Sequence, residues 1–177
     1  MKRAKCTAAA FTAALLALTA CGGSDGDADD TTGDAPSLDA PSTSAPVDDE
    51  AAIEKTLAGY DQALASMNRE QKMPPALTAV ATDAWADQLF TTYTENFFDN
   101  GLTLTGRWRT KVDDITIDGD TAEADVCIDG NRVYLIEIGG TIPSGAVSQG
   151  RSPGVISLVR DGAGWKVEGN QIEEGPC

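Results

Sequence analysis

The side chain missing from this sequence decides more of its chemistry than any that is present: none of the 177 residues is His. Imidazole general bases, Ser-His-Asp and Cys-His nucleophile systems and His-based zinc or iron sites are thereby excluded. Carboxylates, three Tyr and four Cys remain, and carboxylates with Tyr can still move protons without a metal. Arg107, Arg109 and Lys111 form a basic row that brackets Trp108. On a strand this row shares one face, where it pairs with carboxylates of a neighbouring strand or contacts an anionic ligand. Trp85, Trp108 and Trp165 each sit in a periodic segment, where core packing is the ordinary role. Trp108, flanked by two arginines, is the one placed to stack on a ligand.

The cysteines divide by position. Lys2, Arg3 and Lys5 precede an apolar run from Ala8 to Leu18, and the small-residue end Leu18-Thr19-Ala20-Cys21 follows. This is the charge and apolar pattern of an export signal, residues 1–20, and its run is about half of the roughly 20 residues that a membrane-spanning helix needs. The Leu-Thr-Ala-Cys ending resembles the lipobox of bacterial lipoproteins, which implies cleavage before Cys21, a diacylglyceryl group on its thiol and acylation of the new amino terminus, with acyl chains such as palmitate. Each buried CH2 contributes about 0.8 kcal/mol, so two or three chains anchor a protein stably. The alternative is an ordinary secretory signal in which Cys21 is incidental. Cys6 leaves with the signal and, on the lipobox reading, Cys21 is consumed by lipid, so Cys127 and Cys177 remain as an even pair in an exported compartment. A disulfide between them closes a loop of roughly fifty residues and stabilises the fold by about 4 kcal/mol on the chain-entropy model. Two free thiols or a metal pair are the other options, and two Cys without His make a poor zinc site.

Residues 21–47 carry Gly, Ser, Thr, Ala, Pro and Asp with almost no large aliphatic side chain. Such a segment buries too little apolar surface to offset its ordering entropy, so it is expected to be a disordered acidic tether. Asp25-Gly26-Asp27-Ala28-Asp29 resembles the start of a calcium loop, but Asp30 and Pro36 stand where Gly and Glu are required. The chain has 13 basic and 28 acidic residues, and removing Lys2, Arg3 and Lys5 leaves 10 against 28, a net charge of −18. Nucleic acid is an unsuitable partner for such a balance, and an anionic membrane repels the tether, which therefore acts as a spacer.

Residues 48–177 hold one domain. Ile53, Leu57, Tyr60, Leu64 and Met67 draw one apolar stripe along a helix that must end before Pro74-Pro75. Pro75 to Val80 suits a short further turn. Thr82 or Asp83 caps a helix carrying Trp85, Leu89, Tyr93 and Phe97, and Asn100-Gly101 stops it through a left-handed residue. Beyond residue 101 the period becomes two. Strands are expected over 102–117, 120–129, 133–138, 155–160 and 165–172. Asp118-Gly119, Asp129-Gly130 and Asp161-Gly162 serve as hairpin turns, and 139–154 as a long loop. The apolar parity switches at Asp113-Asp114, which predicts a bulge and a bent strand. The bulged register brings Arg109 and Lys111 beside Asp125, Cys127 and Asp129.

Helices followed by a strongly bent antiparallel sheet make an α+β fold that resembles the NTF2-like, or cystatin-like, cone. Val126-Cys127-Ile128-Asp129, Gly164-Trp165-Lys166-Val167 and the terminal Cys177 are similar to small lipoproteins of Gram-positive bacteria of unknown function. That resemblance implies the Cys127–Cys177 disulfide and a helix-covered concave face that can hold a pocket, with Tyr60, Trp108, Arg109 and Asp125 as candidate lining residues. It also raises a metal-free isomerase or dehydratase, with Tyr60 and Asp125 or Glu123 as the acid/base pair. The expected function is a non-catalytic, lipid-anchored domain on the extracytoplasmic face of the cell membrane that binds a small ligand or an envelope protein. No catalytic residue, metal or cofactor is assigned. A structural helper without ligand and the cavity enzyme are the alternatives.

Overall fold

The computed structural model describes residues 46–162 and 164–177; the signal, Cys21 and almost all of the tether lie outside the described residues. Helix α1 runs over Pro46–Glu70 and carries the expected stripe, with Ile53, Leu57, Tyr60, Leu64 and Met67 all buried. Its end has no Gly to offer, so Gln71 itself takes the left-handed conformation, φ 49°, and returns its N–H to the Met67 carbonyl at 2.8 Å. Helix α2, Pro75–Val80, starts on a proline. Helix α3, Asp83–Asn96, is capped by the Thr82 hydroxyl, which accepts from the Trp85 N–H. A single 3-10 turn, Phe98–Asn100, then ends at Gly101 with φ 72°.

Five antiparallel strands follow: β1, Leu102–Thr105; β2, Arg109–Asp118; β3, Thr121–Glu137; β4, Ser148–Asp161; and β5, Gly164–Ile172. Strand β3 pairs with β4 on one side and with both β1 and β2 on the other, and β4 pairs with β5. The parallel bridge of Ala81 to Val167 and the Thr82 N–H to Val167 carbonyl bond lay the α2–α3 connection along the outer edge of β5.

Asp113 is the bulged residue: Val112 pairs with Val126, but Asp114 pairs with Asp125. Two more register shifts, at Gly130/Tyr134 and Ser157/Leu158, add to the bend. The curled sheet presents its inner face to α1. Ala122, Ala124 and Val126 point inward and are buried, whereas Glu123 and Asp125 point outward and are exposed. Small residues at the centre of the inner face let a long helix lie close to it.

Three expectations are corrected. Residues 102–117 are not one strand, because the chain breaks at Gly106 to Trp108 between β1 and β2. Asp129-Gly130 is not a turn, and β3 runs through it. Gly130 is needed for a close approach instead, since a Cβ there would lie 2.2 Å from Cζ3 of Trp108. The long loop is shorter than expected, as β4 begins at Ser148. Pro153 is tolerated within β4 because its carbonyl, and hence its missing N–H, faces just past the end of β5, where the Glu173 N–H bonds it.

α1 crosses the inner face from one side of the sheet to the other, and its hydrogen bonds trace the path. Near its start, Asp49 receives Arg160 in a two-bond fork at 3.0 and 2.9 Å and the Trp165 indole N–H at 3.2 Å. One turn or two on, the Thr56 hydroxyl donates to the Trp165 carbonyl. In mid-helix Asp61 bonds Thr110 of β2. At the end, the Asn68 carbonyl accepts from the Thr103 hydroxyl of β1 at 2.6 Å. On the outer face Cys127 is bonded to Cys177, Cα to Cα 5.8 Å, and is buried despite facing away from the core. Helices over a strongly curled antiparallel sheet make this an α+β fold of the NTF2-like cone type.

Candidate functional site

A pocket of about 270 Å3 opens between α1, α3 and the inner face of the sheet. Tyr60 and Asp61 enter from α1, Tyr93 from α3, and Trp108 from the break between β1 and β2. Ile128 supplies the wall from β3, and the cross-strand pair Ile156 and Asn170, with Gln149, Ser152 and Ile172, completes it from β4 and β5. The break at Gly106 to Trp108 is what turns Trp108 into this pocket, where its ring rests on the bare backbone of Gly130.

Asp61 is the one charged residue in the lining, and it is 7% exposed. Its two carboxylate oxygens accept from the Thr110 N–H at 2.7 Å and the Thr110 hydroxyl at 2.9 Å. Burial raises its pKa above the ordinary 3.8, and the Thr110 bonds and the positive charge of Arg107 oppose that rise without cancelling it. The Tyr60 hydroxyl accepts from the Trp85 indole N–H at 3.0 Å. Burial pushes its pKa up, so it stays protonated and able to donate. Tyr93 is raised by burial in the same way. The result is an aromatic and aliphatic pocket with one desolvated carboxyl and a few neutral amides and hydroxyls.

Of the residues nominated from the sequence, Tyr60 and Trp108 line this pocket, and Arg109 and Asp125 do not. Asp125 is exposed on the outer face of β3, opposite Asp114 and Val155, because Ala124 and Val126 take the inner positions. Glu123 shares that outer face, so neither carboxylate meets Tyr60. Arg109 stands opposite Asp129 in a separate surface cleft with Arg107 and Arg132. Asp61 is the residue that sequence reasoning missed. Its signal was present: Leu57, Asp61 and Leu64 are spaced four and three apart, which puts a carboxylate inside the apolar stripe.

Among the described residues no cluster of three or more Cys, Asp or Glu is placed to hold a metal ion, and no helix is long and apolar enough to cross a membrane.

No protein-family model and no curated protein matches the chain. Among solved structures, the intermembrane-space region of the chloroplast protein ARC6 is similar at a TM-score of 0.53 and 12% identity, over 69% of this chain and 94% of that one. An NTF2-like protein with a cystatin-like fold from Novosphingobium aromaticivorans aligns at 0.45 and 18% identity, over 71% and 81%. A domain of unknown function with a cystatin-like fold from Nostoc punctiforme aligns at 0.44 and 15%, over 74% and 81%. At these identities the likeness is one of fold.

Proposed function

We propose that this chain is an exported lipoprotein, anchored by acyl chains on Cys21 at the outer face of the cell membrane, whose folded domain holds a small molecule in the pocket beside Asp61 without transforming it. The acidic tether of residues 21–47 is the spacer between the two. The observation that carries the binding reading is Asp61: a carboxyl buried among Tyr60, Tyr93, Trp108 and aliphatic side chains, with no cation in the lining. A carboxylate has about four acceptor positions, and Thr110 occupies two of them. The ligand that fits is therefore a compact molecule with an apolar or aromatic body and a hydrogen-bond donor, best a protonated amine, directed at Asp61. Such a head recovers the desolvation cost of the carboxylate and meets aromatic rings on its other sides.

The test is mass spectrometry of the protein purified from its native cells, under native and then denaturing conditions, with wild type and Asp61→Asn side by side. The expected result is a mass excess on wild type that vanishes on denaturation and is absent or much reduced in Asp61→Asn, together with two or three acyl chains on Cys21. Bare protein mass in the native wild-type spectrum overturns the binding reading, and an unmodified Cys21 overturns the anchor.

A further inference from the structure

A basic cleft lies outside this pocket. Gly106, at φ 102°, sits so tightly on β3 that a Cβ would meet the Arg132 carbonyl oxygen at 2.0 Å. This crossing of the β1–β2 break over β3 brings Arg107 and Arg109 to the side of Arg132, about 25 residues away in sequence. The three guanidinium-bearing residues, with Asp129 and Asn131, line a cleft of about 260 Å3. Asp129 is already bonded by the Asn131 N–H at 2.9 Å. Among the described residues, none of the three arginines has a carboxylate oxygen within 4.0 Å. One carboxylate facing three guanidiniums leaves the cleft with a local charge of about +2, in a chain whose formal net charge is −15.

Lys111 of the basic row is paired with Asp113 of its own strand, but among the described residues Arg107 and Arg109 are left without such a partner, despite 28 acidic residues in the chain. Like charges held together by backbone crossings repel one another, and an external anion relieves that repulsion. Guanidinium is the group whose planar fork matches the paired oxygens of a phosphate. We propose that Arg107, Arg109 and Arg132 form a binding site for a phosphate group, in a cleft separate from the pocket at Asp61.

The phosphate has two sources, a lipid headgroup or a free phosphate, and the experiment separates them. The full chain carrying Cys21→Ser, so that no acyl anchor contributes, is tested alone and with Arg107→Gln, Arg109→Gln and Arg132→Gln combined. All three side chains are exposed, so the variant is expected to retain the wild-type circular dichroism spectrum; the single Arg109→Gln variant serves in its place if it does not. The first arm titrates inorganic phosphate against chloride at matched ionic strength and reads the melting temperature. The second arm measures flotation with phosphatidylglycerol vesicles and with phosphatidylcholine vesicles. A phosphate-specific rise in melting temperature that is lost in the arginine variant supports the site. Additional flotation with phosphatidylglycerol alone, at least tenfold weaker in the variant, assigns the source to lipid, and its absence assigns it to a soluble phosphate. Flotation without a phosphate effect supports the site only if the variant loses it. No phosphate or vesicle response beyond that of chloride, or an equal response in the variant, overturns the proposal.

Discussion

Asp61 takes two hydrogen bonds from a single residue, the backbone N–H of Thr110 at 2.7 Å and its hydroxyl at 2.9 Å. Thr110 is the second residue of β2, just after the break that delivers Trp108 to the pocket. One carboxyl therefore fixes α1 against the restarted strand and is also the sole charge in the pocket lining. Its structural role and the binding role proposed for it are separable, because an amide can keep the first and loses the charge needed for the second.

That separation sets the pH dependence. A folded-state pKa raised above 3.8 means that the folded protein holds the Asp61 proton more tightly than the unfolded chain does. The resulting stability is fully present below 3.8 and is lost as pH rises through the raised folded value. Tyr60 and Tyr93 face Asp61 from the helices and stay protonated, and Arg107 is the cation acting on it from the β1–β2 break. Asp61→Asn accepts the Thr110 N–H on its amide oxygen and donates its amide to the Thr110 oxygen. It is expected to be as stable as wild type or more so at neutral pH, with that advantage shrinking on acidification. Asp61→Ala leaves the Thr110 N–H without its acceptor and is expected to lose about 1–3 kcal/mol. Urea unfolding of the three proteins from pH 3.5 to 8 checks both, and a pH-independent offset between wild type and Asp61→Asn would sink the argument.

The contact of Trp108 with Gly130 gives a second test. A methyl at residue 130 would lie 2.2 Å from Cζ3 and 2.8 Å from Cε3 of that ring, and 3.0 Å from Cβ of Gln149. Both neighbours are pocket-lining residues. Gly130→Ala is expected to destabilise by about 1–3 kcal/mol through overpacking and to alter the tryptophan fluorescence as the ring is displaced. With Trp108→Ala already in place, the same methyl has room, so the penalty should largely disappear. A double-mutant cycle by urea unfolding reads this directly, and additivity within about 0.5 kcal/mol would mean that the two residues do not touch in solution.

Gly130 also shows where sequence reasoning stops. Asp129-Gly130 between two alternating runs has the composition of a hairpin turn, and nothing local distinguishes a glycine needed for a turn from one needed beneath an indole. Gly154 is similar: its Gly, Ser and Pro neighbours have the composition of a loop, yet it lies in β4 where a Cβ would meet the Gln171 carbonyl at 2.7 Å. The Asp113 bulge was legible because alternation has a parity, and a parity error leaves a mark in the residue types on either side of it. The stripe of α1 was legible for the same reason. Asp61 was legible only as a carboxyl at a stripe position, and that position acquires meaning once Thr110 is known to stand opposite. Asp125 is the opposite case, a candidate lining residue that the pocket does not contain. Its own alternation with Ala124 and Val126 put it outside, and no helix residue can reach it there.

The Cys127–Cys177 bond supplies the last prediction. Residues 173–177 are exposed and contribute nothing to the buried core, and among the described residues the bond from the Glu173 N–H to the Pro153 carbonyl is their one backbone tie to the strands. The disulfide thus holds the C-terminus across the outer face and buries the Cys127 sulfur beneath it. The link spans 50 residues, from the middle of β3 through β4 and β5, and so restricts most of the sheet in the unfolded chain. Chain entropy puts the stabilisation at about 4 kcal/mol, or roughly 10–20 °C in melting temperature for a domain of this size. The double variant Cys127→Ser, Cys177→Ser avoids a stray thiol and should show that loss in non-reducing buffer. Reductant should lower the wild type to the same value and leave the double variant unmoved. A drop of less than about 3 °C in both comparisons would mean that the strand pairings hold the sheet closed without the bond, and that the link serves only to pin the tail.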